Sequence, residues 1–401
     1  MKWDERAWVE IDLDALRNNI KRIRDYVRPE TKILGVVKAD AYGHGCMQVA
    51  RTLLQNGADW LAVACIDEAV QLRRNGITCP ILILGHTSEE EAERVVKEDI
   101  TPGCYSYALA SAISHAAVKL KKRAKIHIKL DTGMGRVGFR YTEDEAVNQE
   151  TIDTILKIAI LPGLDVDGIF THFSVADEAD DDYTKLQFSR FQSACDRLKA
   201  NGLTIPIKHC CNSAALIRFP KMHMDMVRPG IILYGLKPSS FVDCGRLHLH
   251  PVMQFKAKIT NLKEVESGVS ISYGRRFKTS GSAKIATIPV GYADGYSRTL
   301  SGKSQAIAGG KLCNLVGNIC MDQCMIDVTS VNNISVGDDV ILFGRSDDIE
   351  LPVESLAEKM GTINYEVLCA IGRRIPRIYL RDGKVIGEHN YLLDPPVTSI
   401  G

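Results

Sequence analysis

Between about residues 8 and 235, short apolar runs alternate with segments of helical periodicity, and the alternation repeats roughly eight times. The apolar runs fall at 33–37, 60–65, 80–84, 101–105, 125–130, 166–172, 205–209 and 224–228. Continuous apolar runs this short suit strands covered on both faces, and a helix after each strand suits a parallel sheet. Leu13, Leu16, Ile20, Ile23 and Val27 recur at helical spacing behind Asp12 and Asp14, and Ser88 with Glu91 has the form of a capping box. The predicted architecture is a closed (β/α)8 barrel. An open doubly wound sheet normally announces itself by a GxGxxG turn, and none follows the first run.

After about residue 249 the texture changes. Runs at 255–265, 284–290, 312–319, 325–328 and 339–343 read as short strands between Gly, Ser and Asn turns, with one clear helix over 352–360. A chain of 401 residues exceeds one core, so two domains are expected. They divide as 1–245, the barrel, and 246–401, β-rich, with the strand near 8–13 assigned to pair with the second.

A net charge of +1 gives no electrostatic footprint for nucleic acid or an anionic membrane. Twelve cysteines without a CxxC pair read as reduced thiols of a cytoplasmic protein, with no metal centre. Residues 1–6 lack the apolar core of a signal peptide, and no apolar run approaches the ~20 residues of a membrane span.

Barrel chemistry sits at the carboxyl ends of the strands. Lys38 closes the first strand, Lys129 the fifth, His172 the sixth, His209 the seventh and Arg228 the eighth. A lone strand-end lysine ordinarily snorkels to water. Five such residues at equivalent ends point instead to a site, in which a desolvated lysine amine can attack an aldehyde.

Four segments sharpen this: Val37-Lys38-Ala39-Asp40-Ala41-Tyr42-Gly43-His44-Gly45; Lys129 through Gly138, with Arg136; Asn212-Ser213 with Arg228-Pro229-Gly230-Ile231; and, in the second domain, Ser272-Tyr273-Gly274, Cys320-Met321-Asp322-Gln323 and Asn364-Tyr365. Taken in order, they resemble the alanine racemase family of pyridoxal-phosphate enzymes, from Trp8 to about Tyr379. The resemblance implies a homodimer whose sites are shared across the interface, interconverting L- and D-alanine for peptidoglycan.

It further implies that Lys38 binds pyridoxal 5'-phosphate and exchanges a proton on one face of the substrate, while Tyr273 of the partner chain serves the other. Two faces need two groups, because a proton removed from one must return on the other. Tyr42, Ser213, Tyr365 and the Gly230 and Ile231 amides would hold the cofactor's phosphate, Asn212 would belong to the cofactor-binding set, and Arg228 would face the ring nitrogen. His172 would link Tyr273 to Arg228, Arg136 and Met321 would bind the substrate carboxylate, and Arg136 would also meet the cofactor's phenolic oxygen. Lys129 would be carbamylated and orient Arg136, and Asp322 would position the substrate-side tyrosine and methionine loop; Asp177, Tyr292, Arg298, Asn318 and Ile363 would border the entrance. The family commonly has arginine at the position of Asn318, so a positive charge is missing there.

Several relatives fit less well. A serine or broader-specificity racemase is the alternative; the former tends to carry a smaller polar residue at Tyr365 and the latter usually lacks Lys129. Decarboxylases on the same barrel would have an acid in place of Arg228, and single-domain cofactor-homeostasis proteins would end near residue 235. The acidic run 177–182 reads as a solvated loop, Cys320 as a packing residue, and His209 equally as a neighbour of Arg228 or a satisfied strand-end histidine.

Overall fold

All eight apolar runs form strands, for the reason that each is buried on both faces. The computed structural model describes residues 6–393; the first part of the 1–6 stretch read above lies outside them. After β1 (Ala7–Asp12) come β2 (Lys32–Val36), β3 (Trp60–Val63), β4 (Ile81–Ile83), β5 (Thr101–Cys104) and β6 (Ala124–Asp131). A two-residue β7 (Phe139–Arg140) pairs only with β6, and β8 (Leu164–Phe170), β9 (Ile207–His209) and β10 (Met226–Val227) follow.

The order β10-β2-β3-β4-β5-β6-β8-β9 is parallel throughout. The end strands approach closure through Asp225 N–H to Lys208 O at 3.1 Å and Arg228 N–H to Cys211 O at 3.0 Å. The result is a nearly closed eight-stranded barrel with helices between its strands. Ser88 and Glu91 do form the capping box.

The chain divides into two compact units. The barrel unit holds residues 16–41 and 46–250; the other holds 6–15, 42–45 and 251–393 of the described chain. In the second unit, β1 runs antiparallel to Met253–Lys258 and parallel to Arg377–Arg381, at the centre of an eight-stranded sheet.

Three expectations need correction there, the first being the run 312–319, whose strand is Lys311–Asn314 and does not extend to Ile319. The run 255–265 is two strands, Met253–Lys258 and Asn261–Val265, which enter different sheets after a break at Ile259 and Thr260. A second helix, Asn364–Cys369, follows the expected one; at six residues it is too short to show a period. Among the described residues no helix is long and apolar enough to cross a membrane, and no group of three His, Cys, Asp or Glu side chains is placed to hold a metal ion.

Candidate active site

Lys38 opens a turn of left-handed backbone. Ala39, Asp40 and Ala41 have φ/ψ near 51/51°, 54/44° and 54/50°, and Tyr42 has φ 54°, so one turn of left-handed helix is built without glycine. Each such residue costs about 1–2 kcal/mol. Glu68 holds the turn in place: one carboxylate oxygen accepts Ala39 N–H at 2.6 Å and the other accepts Ala64 N–H at 2.7 Å. Asp40 Oδ1 accepts Cys46 N–H at 2.8 Å, fixing the far side.

Arg228, at the end of β10, is 3% exposed and has no carboxylate partner among the described residues. It donates to Thr171 O at 2.8 Å, Cys210 O at 2.9 Å, His209 Nδ1 at 3.0 Å and His172 Nδ1 at 3.3 Å. Burial pushes its guanidinium down to about 10, still charged at neutral pH. Its Nε–H meets no acceptor among these contacts.

Behind Arg228 the proton positions are forced. Arginine only donates, so His209 Nδ1 accepts and His209 carries its hydrogen on Nε2. That hydrogen goes to His127 Nδ1 at 2.9 Å, so His127 in turn carries its own on Nε2, which is buried without a partner. His209 stacks flat on Phe170 at 4.9 Å, and His127 lies 5.1 Å from the Trp60 ring. Gly168, paired with His127 across β6 and β8, leaves the ring its room; a Cβ there would sit 2.5 Å from it. Burial, then nearby cations, keep both histidines neutral, His127 pushed down to about 3.

Lys129 is 4% exposed, with its Nζ 4.6 Å above the Phe170 ring. Burial first, then Arg228 and Arg136, push its amine well below the ordinary lysine range. His172 is likewise held neutral by burial and by Arg228, Lys129, Arg136 and Lys38. The loop carrying Arg136 folds back on Asp131, whose Oδ1 accepts Gly133 and Gly135 N–H at 3.0 and 3.1 Å. Tyr183 Oη–H and Arg190 Nη1–H clamp the same loop, each 2.9 Å from a carbonyl oxygen, of Gly133 and Thr132.

Ser213 starts the helix Ser213–Arg218, and its Oγ accepts Gly230 N–H at 2.8 Å, leaving its hydroxyl hydrogen to donate elsewhere. The Gly230 amide is thus engaged by Ser213, whereas Ile231 opens a 3-10 turn. Asn212 Oδ1 caps the helix through Ala215 N–H at 2.9 Å. The acidic run is exposed at Glu178, Ala179, Asp180 and Asp182, as expected of a solvated loop, and its backbone is also anchored: Arg218 donates to Ala176, Glu178 and Ala179 carbonyls and pairs with Asp181, and Ser239 Oγ–H donates to Asp177 O.

In the second unit, the Tyr42 ring lies 5.9 Å from that of Tyr365, and burial pushes the Tyr42 hydroxyl up. Tyr273 is exposed on a turn, and Tyr292, Met321 and Ile363 are exposed as well. Arg298 and Asn318 line one cavity of about 550 Å³ with Arg276, Phe277 and Lys303; Tyr292 and Ile363 are not part of its lining. Asp322 pairs with Arg374 at 2.8 Å, and Arg374 also reaches the buried Asp294 at 3.3 Å.

The fold places Lys38, Lys129, His172 and Arg228 at the carboxyl ends of barrel strands, where (β/α)8-barrel enzymes carry their chemistry. Family models described as "Alanine racemase, N-terminal domain" and "Alanine racemase, C-terminal domain" match residues 11–238 and 252–379. The chain is 50% identical to an alanine racemase of Clostridium tetani, over 96% of this chain and 98% of that one. It is 49% identical to one of Methanococcus maripaludis, over 93% and 98%. The solved alanine racemase of Clostridium difficile 630 matches with TM-score 0.92 at 43% identity, over 98% of this chain and 100% of that chain. The Bacillus anthracis enzyme with bound L-Ala-P matches at 0.89 and 36%, over 98% and 99%. The chain belongs to the alanine racemase family.

Proposed function

We propose that this protein is a cytoplasmic, homodimeric pyridoxal-phosphate enzyme that interconverts L- and D-alanine for peptidoglycan. The observation that carries the reading is Arg228: a buried cation that, among the described residues, has a spare donor, no carboxylate and only neutral partners. That donor set fits an uncharged ring nitrogen as acceptor. The Ser213 hydroxyl and the Ile231 amide fit a phosphate monoester, as do the Tyr42 and Tyr365 hydroxyls.

When bound, the cofactor draws electrons from the substrate α-carbon and so makes its hydrogen acidic. Lys38 would hold the aldehyde and exchange a proton on one face; Tyr273 of the partner chain would exchange it on the other. Arg228 cannot readily give up its proton. Arg228 would therefore donate to the ring nitrogen without protonating it, which would limit electron withdrawal and favour return of the proton to carbon. Neutral His172 would connect Arg228 to Tyr273. Arg136 and the Met321 amide would take the carboxylate.

Polarimetry with purified, cofactor-loaded protein tests the reading. L-Alanine should lose its rotation far faster than L-serine or L-lysine, and Lys38→Ala and Tyr273→Phe should each be inactive. Equal turnover of serine would favour the broader racemase. Mixed Lys38→Ala and Tyr273→Phe chains should regain activity when sites are shared; demonstrated heterodimers without recovery would sink the shared site.

A further inference from the structure

We infer that Asn318 is a positioning residue that ties the Tyr273 turn to the Met321 loop, an inference that rests on the racemase reading above. Within its own chain Tyr273 is 74% exposed, so what this chain contributes to its placement comes through the backbone and not through packing of its ring. That backbone is strained. Ser272 has φ 67° and ψ −178°, a region open essentially to glycine, and Gly274 and Arg275 follow with φ 72° and 48°. Such a conformation persists only when its surroundings over-determine it.

Asn318 supplies that determination. Its side-chain Nδ2–H donates to Tyr273 O at 2.7 Å, and its own carbonyl accepts Ser272 Oγ–H at 2.5 Å. One bond holds the peptide that follows the Tyr273 Cα, and the other holds the side chain of the residue before it. Asn318 is 7% exposed, so neither bond is left to compete freely with water. Gly317 lets the segments approach: a Cβ there would sit 2.6 Å from Ile271 O.

The same segment continues into Cys320 and Met321. Ser272 Oγ also lies 3.5 Å from Cys320 Sγ, and Tyr292 and Ala293 N–H donate to the Cys320 and Met321 carbonyls at 3.1 and 3.0 Å. The acid/base tyrosine and the carboxylate-binding amide are thereby parts of one hydrogen-bonded body, with Asn318 at the joint. The missing positive charge at 318 is only half of what this residue means; the amide makes a bond that sets Tyr273. Proton transfer needs heavy atoms within about 2.6–3.2 Å, and a 1 Å error costs up to about a hundredfold.

The test compares Asn318→Leu and Asn318→Asp with Asn318→Gln, which keeps an amide donor. In the Leu and Asp variants, kcat should fall about tenfold or more, with KM for alanine changed by less than about twofold. The deuterium isotope effect from [2-²H]alanine should rise for one enantiomer only, the same one that a slowed Tyr273 step affects. Asn318→Gln should recover most of kcat, and Ser272→Ala should show a milder form of the same asymmetry. Unchanged kcat with unchanged isotope effects overturns the inference. So does a symmetrical loss accompanied by a lower melting temperature, which marks a merely structural residue. Fluorotyrosine-labelled protein reads the joint without catalysis: the Tyr273 ¹⁹F signal should shift or double in Asn318→Leu, and an unchanged signal overturns it. An inactive wild-type protein whose Tyr273 signal still responds would sink the racemase reading and leave the joint standing.

Discussion

Lys129 is an amine deprived of water and faced by two arginines, a place where an ammonium is costly. A neutral amine can add to carbon dioxide, forming an N–C bond and releasing a proton, and the carbamate anion then suits Arg136. With ¹³C-bicarbonate, wild-type protein should show a carbamate carbon signal that Lys129→Ala lacks. The variant should lose about tenfold in kcat/KM, the scale of one charge-assisted hydrogen bond. A missing signal at saturating bicarbonate would leave Lys129 as a neutral amine. At this scale the strand-end cations and His172 were legible because their positions follow from the barrel. His127 was not: it sits within β6, where a polar residue in an apolar run carries no mark of the ring it will meet on β9.

The strands of the barrel could be read from sequence because burial on both faces demands an unbroken apolar run. The left-handed turn after Lys38 could not, since no glycine stands at 39–42 and its support comes from Glu68 on another element. That β1 pairs with the second domain could be read as well, but not which two strands flank it, since they lie more than 240 residues of chain away on one side and more than 360 on the other. Glu68 in sequence is an ordinary acid in the first turn of the helix Ile66–Arg74. Glu68→Gln has one side-chain acceptor oxygen where the carboxylate uses two, so one backbone N–H loses its bond. Urea unfolding should show a loss of about 1–2 kcal/mol, with weaker cofactor retention. Unchanged stability together with unchanged retention would mean that the turn holds itself.

For the molecule as a whole, the buried histidines set a limit on acid tolerance. Unfolded histidine titrates at about 6.5, whereas His127 is pushed down to about 3 in the fold and His209 well below its usual value. Between those values the unfolded chain binds protons that the folded one refuses, so stability falls as pH drops below about 6.5. Above it neither state is protonated, and the term vanishes. The slope is up to about 1.4 kcal/mol per pH unit for each histidine, continuing toward pH 3 for His127. Urea midpoints should drop markedly from pH 7 to pH 5, and less so in His127→Gln; equal midpoints would refute the neutral pair.

The division of the chain has a consequence for modularity. Residues 6–15 and 42–45 belong with the unit that follows residue 250, so the backbone crosses between units four times. A cut after residue 250 therefore does not release a finished barrel. It strips β1 of both Met253–Lys258 and Arg377–Arg381, leaving a mostly buried strand with two bare edges. Exposed edges of that kind invite pairing with other chains. Neither unit is a detachable cassette, and a fusion or split-protein design has to respect all four crossings.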